Sequence, residues 1–528
     1  MNERRKNIHF RIYLGLLVLM AISLSTSKAL MSIVPGFLML NWLIEGQFAI
    51  KLQRLRERKS VLLIVSVFFV YLLGLLWTND LKSGLHDIRI QLPLLVLPLV
   101  IGTSASLNYR QIKSVIYFFS AAVVAASFIS VWVLLGLSGK TIQDTREISL
   151  FISHIRFALL VNISIFSLGW FFEHPEKKSM LEKAILLLTM VWLAIFLIIL
   201  KSATGWVVFL LVASAIAAWR IFSLKNRILK IALGVFVVSV FAAPVVYIGS
   251  AIHQFYQTEK LPDDLATQKT NRGNLYEHDF NNRQMENGHY TFWFMNVEEM
   301  REAWNRKSKM AYDSTSASGF NQYVLIRYLT SKGLRKDAEG VNSLTQNDVR
   351  NIENGMTNYR FENSFPFYKR IYQIIWEFDV YRKGGNPSGH SVTQRFEYYK
   401  MAFSIIGENF WFGTGTGGYA QAYQEKYDQN PFFKDQKYRQ RSHNMFLSYW
   451  IDFGIIGLLY ICFALFSPAF LEQKTKSYLV LVFLLIVFLS FLNEDSLNNH
   501  DAISFFAFLY PLFLYSNYEK PLISGQSQ

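Results

Sequence analysis

Long apolar runs alternate along the chain with short polar connections. Several runs, such as 61–77, 112–137 and 228–248, approach or exceed the roughly 18 to 20 residues that a helix needs to cross a bilayer. The sequence therefore predicts an all-α integral membrane protein with about twelve transmembrane helices. The predicted spans are 11–27, 30–50, 61–77, 91–107, 112–137, 153–172, 182–200, 203–219, 228–249, 446–469, 477–492 and 501–516.

The composition agrees with a membrane protein. Of 528 residues, 52% are hydrophobic and 17% are charged, whereas soluble domains carry roughly 25% charged residues. A net charge of +15 could indicate a nucleic-acid partner, but the basic residues lie between the spans and not on one soluble face. We therefore expect membrane lipid, and no nucleic acid, as a partner. The single cysteine, Cys462, lies in an apolar run and excludes a disulfide framework.

The basic residues predict the topology, because short loops rich in Lys and Arg stay in the cytoplasm. Alternate connections are basic, which places both termini inside and the long connection 250–443 outside. We divide the chain into membrane domain 1–249, loop domain 250–443 and membrane domain 444–528. The clusters assigned to the inside include Arg4 to Lys6, Lys51 to Lys59, Arg110 and Lys113, Lys177 and Lys178, Arg220 to Lys230, and Lys474 and Lys476.

The long connection is too long to be a structureless loop. Helical patterning appears around 365–381, 394–406 and 419–427, which predicts a large, mostly helical extracytoplasmic loop. Its first half, near 259–358, is polar. We interpret it as an insertion, with partial mobility as an alternative.

Two adjacent segments carry a family resemblance. They read QRFEYYKMAFSIIGENFWFGTGTGGYAQAYQEKY from Gln394 and RSHNMFLSYWIDFGIIGLL from Arg441. Together with YLLGLLWTND, LPLLVLPL and KSATG earlier in the chain, they resemble the O-antigen ligase and polymerase superfamily. The resemblance does not extend to the 259–358 insertion.

The resemblance implies a GT-C-like membrane glycosyltransferase of the bacterial inner membrane, with the large loop in the periplasm and no cofactor. Such enzymes take a glycan from a polyprenyl diphosphate carrier and pass it to an acceptor hydroxyl. Lipid A-core as acceptor, an O-antigen ligase, is the first interpretation. A glycan acceptor (polymerase) and a protein acceptor (protein O-oligosaccharyltransferase) are the alternatives. They share the site and differ in the acceptor.

The resemblance places the catalytic histidine at His443. An imidazole is largely neutral near pH 7 and can take a proton from the attacking hydroxyl. Arg156 and Arg395 are the first candidates for the diphosphate, because a guanidinium stays charged and donates two parallel hydrogen bonds to phosphate. Arg156 lies at the outer mouth of the sixth span, so a snorkelling role is its structural alternative.

Other residues are weaker candidates. Arg441 and Lys201 could contact the diphosphate or have structural roles, and Lys201 lies at an outer turn near lipid headgroups. Asn444 could contact the acceptor or sugar, or begin the next helix. Glu494, or its neighbour Asp495, could position the acceptor or pair with an arginine.

Some features favour structural interpretations. The cluster Gly413, Gly415, Gly417 and Gly418 lacks the lysine of a phosphate loop, and we interpret it as a tight turn between two short helices. Loop aromatics such as Trp411, Tyr419 and Tyr423 could stack on sugars, although packing is the commoner role. No His, Cys or carboxylate grouping has metal-ligand spacing, so the sequence predicts metal-independent catalysis. With His443 activating the acceptor hydroxyl for a direct displacement, we expect inversion at the anomeric carbon.

A transporter or flippase is the alternative from a different class, because twelve spans would also permit transport. Transporters usually show paired repeats and polar residues at mid-membrane. This chain concentrates its unusual residues at the predicted outer face.

Overall fold

The computed structural model describes residues 3–139, 145–222, 224–258, 264–362 and 366–518. The protein is 71% helix with almost no strand, which confirms the predicted all-helical class. It divides into two compact units, Met1–Arg220 with Tyr398–Gln528, and Ile221–Glu397.

The α-helices up to residue 256 are α1 Glu3–Thr26, α2 Lys28–Glu45, α3 Phe48–Glu57, α4 Lys59–Gly74, α5 Leu81–Thr103, α6 Tyr109–Leu134, α7 His154–Glu173, α8 Met180–Leu200, α9 Ala203–Phe222 and α10 Arg227–Tyr256. The remaining elements are β1 Met285–Glu286, β2 His289–Tyr290, α11 Val297–Lys307, α12 Gln322–Ser331, α13 Ala338–Asn342, α14 Gln346–Glu353, α15 Pro366–Arg382, α16 Thr393–Glu408, α17 Gly418–Gln429, α18 Met445–Phe466, α19 Pro468–Leu471, α20 Tyr478–Phe491 and α21 His500–Tyr515.

Every predicted span overlaps a helix. Within the described ranges, nine helices are long and apolar enough to cross a membrane, while α4 and α20 are apolar but shorter. The multi-span architecture is thus confirmed, and the count of twelve is not. Two predicted spans have wrong bounds. Span 30–50 contains parts of two helices, because α2 ends at Glu45 and Gly46 (φ 70°) turns the chain into the separate basic helix α3. Helix α5 begins at Leu81, ten residues before the predicted span 91–107.

The last helix, α21, forms the centre of the first unit. Its residues Ala502–Tyr515 are all buried, and it packs mainly against α5. A helix that is apolar all round belongs inside a bundle. The loop 492–499, which leads into α21, is therefore attached to the most buried element of this unit.

Helix α5 has different partners at its two ends. Arg54 Nη1 donates to the carbonyl of Thr103 (3.0 Å) and Arg58 Nη1 to that of Gly102 (2.7 Å), which satisfies carbonyls that a helix C-terminus leaves without partners. Near the other end, a Cβ added at Gly84 would lie 2.7 Å from the Thr416 carbonyl oxygen. The basic residues predicted to be inside and the glycine turn therefore lie at opposite ends of α5.

Helix α18 is broken at Gly454, whose backbone (φ 66°, ψ −175°) is not helical. The break deprives carbonyls of their partners within the helix, and the glycine turn replaces them: Thr414 N–H donates to Ile451 O (2.8 Å) and Gly415 N–H to Asp452 O (2.9 Å). In return, Ile455 N–H donates to Phe410 O (2.9 Å). Because unpaired backbone groups are costly in a membrane, the turn and the broken helix form one interlocked unit.

The glycine turn has the predicted geometry. Gly413, Gly415 and Gly417 have φ values of 69°, 81° and 89°, a region that L side chains rarely adopt. The segment joins α16 to α17, so the predicted tight turn between two helices is confirmed.

The second unit contains α10 and the folded part of the predicted insertion. The described residues of the insertion, 264–358, enclose their own core, which includes Trp304 and Tyr328; residues 259–263 lie outside the described residues. Glu286 is fully buried and accepts hydrogen bonds from Tyr372 Oη (2.8 Å) and Asn358 Nδ2 (3.1 Å) while paired with Arg327. Helix α15 corresponds to the helical pattern predicted at 365–381.

We expect Gly454→Ala to lower the apparent Tm of the detergent-solubilised protein by about 3 °C or more, because its backbone conformation is nearly exclusive to glycine. A Cβ would also lie 2.1 Å from the Trp411 carbonyl oxygen. The matched control is Gly15→Ala within α1, where a Cβ meets nothing within 4 Å and alanine favours the helix. Equal Tm values for the two variants would contradict the interlock.

Candidate active site

His443 lies in the short segment between α17 and α18. Its backbone is left-handed (φ 54°), and its N–H donates to Asp495 Oδ2 at 3.2 Å. The imidazole Nδ1 is 3.8 Å from Glu494 Oε2, and 27% of the side chain is exposed. His443 is thus held through its backbone, and its imidazole lies beside a carboxylate and is partly exposed to solvent.

Asp495 joins this segment to the 492–499 loop. Its carboxylate is buried and accepts hydrogen bonds from Ser448 Oγ (2.6 Å) and Ser442 Oγ (3.4 Å) as well as from the His443 amide. The sequence left open whether this loop binds the acceptor or pairs with an arginine. In the structure, Asp495 binds Ser442, His443 and, in the first turn of α18, Ser448.

Asn444 begins α18. Its side-chain oxygen accepts from Leu447 N–H (3.1 Å), and its Nδ2 donates to Leu492 O (3.2 Å). Both ends of the amide are therefore engaged in the helix start and in contact with the 492–499 loop, as expected of an N-cap residue.

Three buried tyrosines, which we call the tyrosine clamp, bind the segment 438–442. Tyr419 Oη accepts from Ser442 N–H (2.7 Å). Tyr427 Oη accepts from Gln440 N–H (2.9 Å) and donates to the carbonyl of the same residue. The third member, Tyr398, donates to Tyr438 O at 2.5 Å.

The clamp changes the interpretation of the loop aromatics. Tyr419 and Tyr423 are 3% exposed, so the suggestion that they stack on sugars is wrong. Trp411 is 62% exposed and stays available for such a contact. The i, i+4 spacing of the tyrosines on α17 was the sequence signal for a shared buried face.

Arg441 lies over the ring of Tyr419, with its guanidinium carbon 3.9 Å from the ring centroid. Its buried Nε has no hydrogen-bond partner among the described residues. Burial alone would lower the pKa of Arg441, but Tyr419, Asp495 and two further aspartates, Asp452 and Asp87, raise it above its ordinary value. Carboxyl groups therefore lie within electrostatic range of this cation and weaken its attraction for a diphosphate.

Arg156 is paired at the start of α7. Its Nη1 donates to Asp501 Oδ2 at 2.7 Å, with 22% and 12% of the two side chains exposed. Two more cations lie within electrostatic range of the α21 N-terminus, Lys28 near Asp501 and Arg89 near His500. Cationic side chains from α2 and α5 thus lie near the same helix start as the Arg156–Asp501 pair.

Lys201 ends α8 in a left-handed conformation (φ 51°), and its side chain is exposed. Three residues later, Thr204 Oγ1 accepts a hydrogen bond from Asn493 Nδ2 at 2.6 Å. The turn that carries Lys201 thus adjoins the 492–499 loop.

Arg395 belongs to the second unit. It lies in the first turn of α16, half-buried, and its backbone N–H donates to Val392 O at 3.1 Å. Its assignment to the diphosphate stays a prediction.

The 492–499 loop and the start of α21 bring the candidates of the first unit together. Asp495 contacts the His443 backbone and Asp501 contacts the Arg156 side chain. These aspartates are six residues apart in the sequence, so their Cα atoms are separated by at most about 22 Å. An imidazole and a group of cations consequently share one end of the first unit.

A comparison with known families addresses this same region. Residues 354–462 match a family model described as O-antigen ligase. This segment is therefore similar to the O-antigen ligase family. The match includes α15 to α17, the tyrosine clamp and His443, and it confirms the resemblance to the O-antigen ligase superfamily. No curated protein matches the chain.

The apolar helices and the match to the O-antigen ligase model fit a multi-pass membrane protein, and the match supports glycan transfer of the ligase or polymerase type at the family level. Arg395, Arg441 and Asn444 also lie within the matched residues, whereas Arg156, Lys201 and Glu494 lie outside them. Sequence reasoning missed Asp501, Lys28 and Arg89 as members of the site. Adjacent His500 and Asp501 at the start of the last apolar run were the available signal.

We expect Asp501→Asn to destabilise the protein, because it leaves Arg156 without its half-buried partner. Breaking such a pair should cost about 1 to 3 kcal/mol and lower the Tm measured in detergent. The control is Asp428→Asn, which removes the 58% exposed partner of Arg439 and should cost less than about 1 kcal/mol. A larger Tm loss in the control would show that the Arg156 pair contributes little.

Proposed function

We propose that the protein transfers a glycan from a polyprenyl diphosphate carrier to an acceptor hydroxyl, with lipid A-core as the acceptor. The proposal also places it in the bacterial inner membrane, with both termini in the cytoplasm and the site at the periplasmic face. The observation that carries it is the position of His443: it lies within the O-antigen ligase match, and its imidazole is exposed beside Glu494.

In the proposed reaction, His443 takes the proton of the acceptor hydroxyl as the oxygen attacks the anomeric carbon. A glycosidic bond forms, the bond from that carbon to the diphosphate oxygen breaks, and the polyprenyl diphosphate leaves with the electron pair. Glu494, 3.8 Å from Nδ1, stabilises the imidazolium. The proton then passes from His443 to water.

The leaving diphosphate needs positive charge at the opposite side of the anomeric carbon. Arg156 fits this role, since Lys28 and Arg89 reinforce the positive potential around its ion pair with Asp501. Arg395 and the exposed Lys201 are proposed as further ligands. Arg441 is the weakest of these candidates because it lies among carboxylates.

A single displacement predicts inversion of the anomeric configuration. The proposed ligands of the leaving group are cationic side chains, which can supply the charge stabilisation that a metal ion supplies in other transferases. We therefore propose a metal-independent reaction.

The decisive variant is His443→Ala in the native host, which should remove long-chain glycan from the lipid core while carrier-linked polymer accumulates. Loss of the general base is expected to reduce transfer by at least about 100-fold. Gel analysis of surface polysaccharide and of extracted carrier lipid measures both. The control is His253→Ala, at an exposed histidine in α10, which should leave the profile unchanged.

The pattern of loss distinguishes the acceptors. A ladder that collapses to a single repeat indicates a polymerase, and loss of glycan from proteins alone indicates a protein O-oligosaccharyltransferase. An unchanged glycan profile combined with altered movement of a solute would support a transporter and refute the enzyme.

We expect purified protein to retain its transfer activity in EDTA, because the proposed cations are arginine and lysine side chains. The measurement is transfer from a purified carrier-linked glycan before and after chelation. Loss of activity that added Mg²⁺ restores would contradict metal independence.

A further inference from the structure

The segment that precedes His443 alternates between two kinds of contact with the tyrosines. The backbones of residues 438, 440 and 442 bind the hydroxyls of the tyrosine clamp. The intervening side chains, Arg439 and Arg441, pack over the rings of Tyr427 and Tyr419. Each residue from 438 to 442 thus contacts a tyrosine of the clamp through either its backbone or its side chain.

We propose that Tyr419 is a positioning residue for glycan transfer, which fixes the direction of the His443 imidazole by holding the preceding amide. This inference rests on the proposed role of His443 as the base. Tyr419 is buried and accepts from Ser442 N–H, so it acts through the backbone of the segment that carries His443.

Two consecutive amides of this segment are held by hydrogen-bond acceptors. Ser442 N–H is held by Tyr419 Oη (2.7 Å) from α17, and His443 N–H by Asp495 Oδ2 (3.2 Å) from the 492–499 loop. Acceptors on two separate elements therefore orient both peptide planes that flank Ser442. The left-handed backbone of His443 (φ 54°) is unfavourable for a residue with a side chain and persists only where its surroundings enforce it.

The environment of Tyr419 suits a fixed hydrogen-bond acceptor. Burial raises the pKa of Tyr419, which keeps the phenol neutral. Its ring packs against Tyr423, with centroids 4.7 Å apart, so the hydroxyl cannot move far from Ser442. Removal of the hydroxyl alone leaves the ring, and the Arg441 contact, in place.

The test compares three tyrosine-to-phenylalanine variants of the full-length protein in reconstituted transfer. Tyr419→Phe should lower kcat about tenfold with KM for the donor unchanged, since a misdirected base slows chemistry without weakening binding. Tyr427→Phe, which affects a residue two positions further away, should have a smaller effect. Tyr515→Phe is the matched control, because the Tyr515 hydroxyl is likewise buried but pairs with Ser60 Oγ (3.0 Å), outside the clamp and the 438–442 segment.

Hydrogen exchange supplies a readout besides activity. Peptides covering 438–444 should exchange faster in Tyr419→Phe than in Tyr515→Phe, while both variants keep the same Tm within about 2 °C. Equal kcat values for these two variants, or a loss confined to KM or to Tm, would overturn the positioning role. If His443→Ala itself retains transfer, the proposed function fails; if His443→Ala is inactive and Tyr419→Phe is normal, only the present inference fails.

Discussion

The candidate site depends on the restraint of two consecutive peptide groups, at Ser442 and His443, by acceptors that come from distant parts of the sequence. Each acceptor is anchored in turn. Helix α17 begins at a glycine turn that supplies hydrogen bonds to the broken helix α18, and the 492–499 loop leads into the fully buried helix α21. The position of one imidazole therefore depends on the packing of the membrane helices, which explains how an exposed side chain can keep a fixed direction.

Charge is divided between two neighbouring regions of the first unit. Carboxylates gather around His443 and Arg441, whereas cations gather around the start of α21, where Asp501 is their described carboxylate partner. A base that must accept a proton benefits from nearby negative charge, and a departing diphosphate benefits from positive charge. The separation of the two charge types along one loop and helix start suits a displacement in which proton acceptance and departure of the leaving group occur on opposite sides of one carbon.

Much of the fold could be predicted, because each apolar run is a local signal and became a helix. Local chemistry also identified the glycine turn, and it gave a helix start as one of two roles for Asn444, the one that the structure shows. The break at Gly454 escaped prediction, since a glycine in an apolar run looks like part of a continuous span until the turn that fills the break is known. The start of the basic helix α3 was not predicted for a related reason. Its first residues are apolar, and they extended the predicted second span to residue 50.

Residue types indicated the candidate site, but their partners could not be predicted. Nothing in SHIRFALL indicates that Arg156 pairs with a residue 345 positions later. Nothing next to Arg441 in the sequence indicates the carboxyl groups that lie around it. The buried tyrosines were considered as sugar contacts because exposure cannot be read from residue type. Contacts between residues far apart in sequence separate a catalytic position from a structural one, and single-sequence patterns do not contain them.

The most direct test of the account is the position of the donor in a cryo-EM structure with a non-transferable phosphonate analogue of a polyprenyl diphosphate sugar. We predict that the diphosphate contacts Arg156 and that the His443 imidazole faces the anomeric carbon from the opposite side. There should be room for one acceptor hydroxyl between the imidazole and that carbon. A diphosphate bound away from Arg156, with His443 too distant to reach an attacking hydroxyl even through one water, would contradict it.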